Sequence, residues 1–283
     1  MSPIIEVNNL SLQYAMKTPF QRNALQGISL TVDKGEFRAI IGSQGSGKST
    51  LLQVLAGLLV GQGSVFVCGK DLRSKSTRAD IWRKVGFIFQ YPERQLFEDT
   101  VWNDVAYGPK NMGLAESAIH SRVKSALEQV NIAEEYYQLS PFKLSGGLQR
   151  RAAIAGVLSM QPEVLLLDEP TAGLDPRSKQ QLMNLFYQYS REKKVTVLLV
   201  THDMEEVAHR ADRVTILDQG KVALEGAPKD IFRETEKIKA LGLALPFAAE
   251  LSQALHNRGA NVSFTTTLRE AQREVEKLLK KKA

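Results

Sequence analysis

The stretch Gly42-Ser43-Gln44-Gly45-Ser46-Gly47-Lys48-Ser49 leaves this chain few possible folds. An apolar run, Phe37 to Ile41, leads straight into it, and residues Lys48 to Leu58 have helical composition. The pattern G-x-x-x-x-G-K-[ST] between a strand and a helix predicts a phosphate-binding loop. Its glycines let successive backbone N–H groups turn inward, and the helix start adds positive potential for phosphate oxygens. Lys48 is then placed to reach β- and γ-phosphates, and the Ser49 hydroxyl to ligate Mg²⁺. A flexible turn that merely contains lysine is the plain alternative. The strand–loop–helix setting argues against it.

A second motif supplies the other half of such a site. Val164-Leu-Leu-Leu-Asp168-Glu169 reads as a buried strand that delivers Asp168 at its carboxyl end, where parallel sheets place their ligands. Asp168 would hold the metal directly or through water, and Glu169 would polarise an attacking water. Alone, an apolar run before Asp-Glu could be a capped strand end. Paired with the glycine-rich loop, it points to triphosphate hydrolysis.

The rest of the chain fits an α/β fold. Ile4 to Val7, Leu10 to Tyr14 and Gly27 to Val32 alternate as strands do, with a loop expected at 15–23 around Lys17, Pro19 and Arg22. Val195–Val200 followed by a helix from Asp203, and Arg213–Leu217 followed by a tight turn into Val222, extend the strand–helix alternation. That alternation implies a largely parallel sheet covered by helices on both faces. Between residues 91 and 143 strand signals fade, and Val123, Leu127 and Val130 mark an amphipathic helix, so a helical insertion is expected there. Beyond about residue 233 the pattern is helical again. Thr267-x-x-Glu270 is a capping box opening a helix with Leu268, Ala271, Val275 and Leu278 in one stripe. That stripe docks on its own domain or on a partner, and sequence does not choose.

Composition excludes several classes. No apolar run approaches the roughly 20 residues that cross a bilayer, so any membrane role is peripheral. The N-terminus lacks the order of a signal peptide. The lone cysteine, Cys68, reads as a small buried hydrophobe and fits a reducing cytosol. A net charge of +6 with 7% aromatics gives no aromatic-studded basic stripe, so nucleic acid is not expected as a partner. The basic tail Lys277, Lys280, Lys281, Lys282 reads as a solvated end.

Leu144-Ser145-Gly146-Gly147-Leu148-Gln-Arg-Arg151 lies between the two phosphate-site motifs. With it, the chain resembles the nucleotide-binding domains of ABC transporters, whose signature reads LSGGQ just before the acidic strand end. The resemblance runs from about residue 4 to 232 and implies an ABC-type P-loop fold. That fold has a mainly parallel core sheet, an N-terminal antiparallel β subdomain and a helical subdomain at about 91–160. A helical extension over 233–283 would follow and serve dimerisation. It implies roles residue by residue. Tyr14 would stack on adenine, with Thr50 completing the loop's nucleotide contacts. Gln90 would link Mg²⁺ and the lytic water to the transporter interface. Ser145, Gly146 and Gly147 would touch the γ-phosphate held by the opposite subunit. Asp175, in Ala172-Gly-Leu-Asp175, would belong to the loop crossing the dimer interface and join the nucleotide-binding set. His202 would be the switch histidine. Singly, each has a bland reading: packing for Tyr14, a cap or surface residue for His202. Their joint order favours the functional one. Position 148 departs from the family, with Leu in place of Gln; the resemblance leaves room for weaker turnover at the site it completes.

Tyr91-Pro-Glu-Arg-Gln-Leu-Phe97-Glu-Asp99, Asp104-Val-Ala-Tyr-Gly-Pro, Ser140-Pro-Phe and Arg150-Arg-Ala-Ala-Ile-Ala-Gly resemble the ATPases of energy-coupling factor transporters, in the form of the second of their paired ATPase subunits. These are importers of vitamins and transition-metal ions. The resemblance implies a second ABC ATPase as mate, an integral transmembrane coupling component and a membrane-embedded substrate-binding subunit. It also implies a place on the cytoplasmic side of the cell membrane. The docking groove would lie near Pro92, Gln95, Leu96 and Phe97, with Glu98, Asp99 and Asp104 meeting basic residues; a solvated helix face is the alternative for those acids. A soluble ABC ATPase acting on nucleic acid or ribosomes is the rival reading. A poorly hydrolysing regulatory subunit is a third, and intact Glu169 and His202 oppose it.

Overall fold

The fold, a computed structural model, describes residues 3–14 and 22–282, with 281 and 282 by backbone alone. Lys17 and Pro19 of the expected loop lie outside the described residues. Arg22 and Asn23 do not belong to that loop, because they open a strand.

In chain order the elements are β1 (Ile5–Tyr14), β2 (Arg22–Val32), β3 (Phe37–Ile41), α1 (Lys48–Leu55), β4 (Gln62–Val67), β5 (Lys70–Asp71) and α2 (Lys75–Asp80). Then come β6 (Val85–Ile88), α3 (Val101–Asn111), α4 (Glu116–Gln129), α5 (Gly146–Ser159), β7 (Val164–Asp168) and α6 (Pro176–Arg191). The chain closes with β8 (Thr196–Val200), α7 (Met204–Arg210), β9 (Arg213–Asp218), β10 (Lys221–Gly226), α8 (Pro228–Arg233), α9 (Thr235–Ala240), α10 (Phe247–Asn257) and α11 (Leu268–Lys282). One sheet runs β2-β1-β4-β5 and is antiparallel; the other runs β10-β9-β3-β8-β7-β6. Within the larger sheet β9, β3, β8, β7 and β6 are parallel, and β10 folds back antiparallel on β9.

The strands of the parallel sheet are continuous apolar runs because both faces are covered. Along β7, Leu165 and Leu167 face one core and Val164 and Leu166 the other. The first core gathers α3 to α6, and the second joins α1 to the antiparallel sheet. The helical insertion is thus seated on one face of the sheet by Val105, Val123, Leu127, Ile154 and Leu158, all nearly inaccessible to solvent. At roughly 25 cal/mol per Å² of apolar surface, burial on this scale dominates what holds the layers together.

A third core sets the place of the C-terminal segment. Ile238, Leu243, Leu245 and Ala249 are buried with Ala39, Ile41, Val214 and Ile216 of the sheet. Packing therefore continues across residue 233 without a break. α11 lies on α10 of the same chain. Its covered side carries Ala271, while Leu268 is 59% exposed and drops out of the expected stripe. The capping box is present in a shifted form: Thr267 Oγ1 accepts from Glu270 N at 3.4 Å, and the Glu270 carboxylate accepts from Thr266 N at 3.3 Å.

Candidate nucleotide site

The loop at 42–47 is a cradle built by its own backbone. Gly42, Gly45 and Gly47 have positive φ. A Cβ on Gly42 would sit 2.2 Å from Leu217 O, and one on Gly47 2.5 Å from Ala24 O. Only glycine fits where β9 and β2 close on the loop. Gly47 caps α1 without a side-chain bond, and the first turn of α1 carries no acid. Its amides remain free for an anion. Lys48 Nζ donates to Gly42 O and Ser43 O, both at 2.8 Å. Burial lowers its pKa, while the Glu169 and Asp168 carboxylates pull the other way. Among the described residues, buried Ser46 Oγ finds no partner, as a donor awaiting a ligand would. Gln44 and Ser49 stand exposed at the lip, with Thr50 half-buried beside them.

The acidic pair sits at the end of β7, beside the loop. Asp168 interacts with Ser49 through a side-chain hydrogen bond, which lowers its pKa, but burial outweighs this and, with Glu169 adding, holds the carboxyl above its ordinary value. The chain turns sharply after Asp168: Glu169 has φ of 47°, a left-handed conformation that costs a non-glycine residue energy. Its N–H donates to Val200 O at 3.0 Å, so β8 enforces the turn. The result is a carboxylate held from two sides. Gln90 Nε2 donates to Glu169 Oε2 at 3.2 Å, and His202 Nε2 lies 2.9 Å from Glu169 Oε1. The three segments expected to meet do meet.

Tyr14 ends β1 with its hydroxyl 3.3 Å from Thr50 Oγ1 and its ring 39% exposed, lining a cavity with Gly45, Gly47, Lys48 and Ser49. Arg22 shares that cavity and donates to Gly45 O at 3.1 Å. Sequence reading put Arg22 in a loop and gave it no role; no local signal marks it. Asp175, grouped with the nucleotide-binding residues by resemblance, caps α6: its Oδ1 accepts from Arg177 N and Ser178 N, both at 3.0 Å.

The signature stretch lines a cavity separate from this cradle. Ser145, Gly146 and Gly147 are exposed, and a Cβ on either glycine would meet nothing within 4 Å. Ser145 caps α5, accepting from Leu148 N at 3.5 Å, and no acid lies in the first turn. The side chain of Leu148 packs on the first core and lines a cavity with Leu174, Leu182 and Leu185. Ser145 and Gly147 line the same cavity.

The expected docking segment is split by burial. Pro92 and Leu96 turn inward, Gln95 stays exposed, and Phe97 is 57% exposed, edge-on to Tyr107 at 4.9 Å. Half-buried Asp104 accepts at Oδ2 from Phe97 N at 2.9 Å and Glu98 N at 3.0 Å, so it also braces the turn. Glu98 is half-buried; Asp99 remains exposed.

A phosphate loop after β3 of a parallel sheet, with an acidic pair at the end of β7 one strand beyond its neighbour β8, defines a P-loop nucleoside triphosphatase. The chain matches the ABC transporter family over residues 25–172. It is 43% identical to an energy-coupling factor transporter ATP-binding protein EcfA2 of Clostridium tetani, covering 99% of this chain and 98% of that one. A protein of the same name from Caldanaerobacter subterraneus is 45% identical, over 91% of each. Among solved structures, cbiO1 of Clostridium perfringens, part of the ABC transporter complex cbiONQ, superposes with a TM-score of 0.74 at 38% identity, covering 85% of this chain and 95% of that one. The ATP-binding cassette MJ0796, a dimer bound to ADP and Pi, gives 0.71 at 29% identity, covering 79% of this chain and 98% of that one. The chain belongs to the ABC transporter ATP-binding family and, within it, to the energy-coupling factor ATPases. It is an ATP-binding and ATP-hydrolysing transporter subunit.

Proposed function

We propose that this chain hydrolyses ATP at a site shared with a second ABC ATPase, and that closure of the pair drives a membrane importer of vitamins or transition-metal ions. The carboxylate of Glu169, clamped between Gln90 and His202 beside the phosphate loop, carries this reading. Fixed at both oxygens on a strained backbone, it is a preorganised base for water. Lys48 would exchange its loop carbonyls for β- and γ-phosphate oxygens. Tyr14 offers its ring to the base.

Among the described residues no group of three or more His, Cys, Asp or Glu could hold a metal unaided. The Ser49 hydroxyl and the Asp168 carboxylate, bonded to each other, fit Mg²⁺, with Gln90 on the adjacent Glu169; an ion held there would take its remaining ligands from phosphate and water. When bound, the ion would neutralise charge on the phosphates. Binding it requires Asp168 ionised, against the upward push of burial.

Ser145 spends an acceptor lone pair on its own helix and keeps its O–H to donate. With the Gly146 and Gly147 amides it forms a donor set for a γ-phosphate brought by the mate. Such a cap makes closure conditional on ATP, and hydrolysis releases it. No described helix is long and apolar enough to cross a membrane. Attachment at the cytoplasmic face then runs through a coupling component seated near Gln95 and Phe97, which is joined by a membrane-embedded substrate-binding subunit. The mate is a different ATPase, by likeness to paired subunits.

Lys48→Ala tests the shared site. In sedimentation with ATP, the variant and its mate are expected to stay apart where the native pair associates. ATP-induced association unchanged from wild type overturns the reading.

A further inference from the structure

Arg150 is the buried charged residue of α5 and lies outside the nucleotide site. Its side chain is only 7% exposed, yet it reaches two other segments at once. Nε and Nη2 donate to Glu93 Oε2 and Oε1, both at 2.9 Å, a two-pronged grip on the carboxylate. Nη1 donates to Ala172 O at 2.5 Å. The guanidinium also lies 5.9 Å from the centre of the Tyr91 ring. Ala172 N in turn donates to Glu169 O at 3.1 Å. A continuous chain of bonds therefore runs from Glu93, in the turn that carries Phe97, through the signature helix to the residue beside the acidic strand end.

A buried bracing pair would need only one partner. Here a planar fork spans two segments that the sequence separates widely, and it does so from the helix whose first turn carries Ser145 and the glycines. The planar guanidinium holds both carboxylate oxygens with one pair of nitrogens and the carbonyl with the third; a single ammonium nitrogen cannot reproduce that fork. Any displacement of Glu93 must shift Arg150, and with it either the Ala172 carbonyl or the tilt of α5.

We propose that Arg150 is a positioning residue that relays the state of the turn at 91–98 to the loop following Glu169 and to the signature helix, so that ATP turnover depends on the seated membrane component. This rests on the reading that the turn meets that component. The relay has a stated direction: with Glu93 held, Ala172 and Glu169 are held; with Glu93 pulled aside, both are freed.

The test uses the full chain, with its mate, alone and assembled with the membrane components. Arg150→Lys and Glu93→Gln are compared with Phe97→Asp on the docking surface. Both relay variants are expected to co-purify normally with the membrane component, and to lower ATP hydrolysis in the assembled complex about tenfold, against no more than about threefold without it. Equal losses in both settings, or no loss in either, overturn the relay and leave Arg150 a structural brace. Glu93→Gln keeps a neutral acceptor for Arg150, so it answers the question if Arg150→Lys melts early. Phe97→Asp is expected to lose the membrane component. Its normal co-purification overturns the docking reading itself. Its failure to co-purify, with turnover in the relay variants unchanged, overturns the relay alone.

Discussion

The chain holds two glycine-bearing helix starts, at α1 and at α5, and they are finished in opposite ways. At α1 the protein's own backbone closes on the glycines: Leu217 O and Ala24 O leave no space for a Cβ at Gly42 or Gly47. At α5 the same construction, amides at a helix start with no acid in the first turn, lies open, with nothing within 4 Å of a Cβ placed on either glycine. The cavities lined by the two regions share no residue. Glycine at α1 answers a constraint inside the chain; glycine at α5 leaves room for something from outside. The first is half a site that the fold completes, and the second is half a site that it does not.

The largest effect expected on this contrast falls on the closed half. Glu169→Gln should cut ATP hydrolysis by roughly 10²–10⁴ while ATP-dependent closure persists. Phosphate release and sedimentation measure the two, and near-normal turnover would remove Glu169 as the base.

A paired glycine experiment comes next. Gly147→Val should lower hydrolysis about 10²-fold, because the side chain intrudes where the mate's phosphate would come, yet shift the melting temperature by no more than about 2 °C. Gly42→Ala should instead lower the melting temperature by about 5 °C or more, through clash and backbone strain. A stable Gly42→Ala together with an unstable Gly147→Val would invert the contrast.

Asp168→Asn probes the cost of keeping a charge ready. Burial raises the Asp168 carboxyl, against its Ser49 hydrogen bond and with Glu169 adding. A raised folded pKa stabilises the fold below the unfolded value and loses that contribution as pH rises through the folded value. The Asn variant should therefore melt higher at neutral pH, by roughly 2 °C. That advantage should vanish as pH falls below the ordinary carboxylate range, and hydrolysis should be lost throughout. A melting difference that grows toward acid pH would contradict the assignment.

The smallest effect concerns Leu148. Its side chain is half-buried against the first core, beside Leu174 and Leu182, so Leu148→Gln in the assembled pair should change turnover by about twofold or less. A larger rise would mean that position 148 limits the site.

Elements that depend on local spacing could be read from the residues alone. The loop at 42–49, the acidic end of β7, the signature before α5 and the apolar runs of β3, β7 and β8 are legible because backbone amides and alternating side chains do the work wherever the chain carries them. Tertiary structure decided where side chains with long reach found partners. Arg22 settled on Gly45 O, Arg150 on Glu93 and Ala172 O, Asp104 on the backbone of the turn at Phe97 and Glu98, and Ile238 to Ala249 on the sheet. The physical reason is range. A turn or a helix start is fixed by neighbours a few residues away, whereas a buried guanidinium or a docked helix is fixed by whichever distant segment the closed core brings within hydrogen-bond or van der Waals reach.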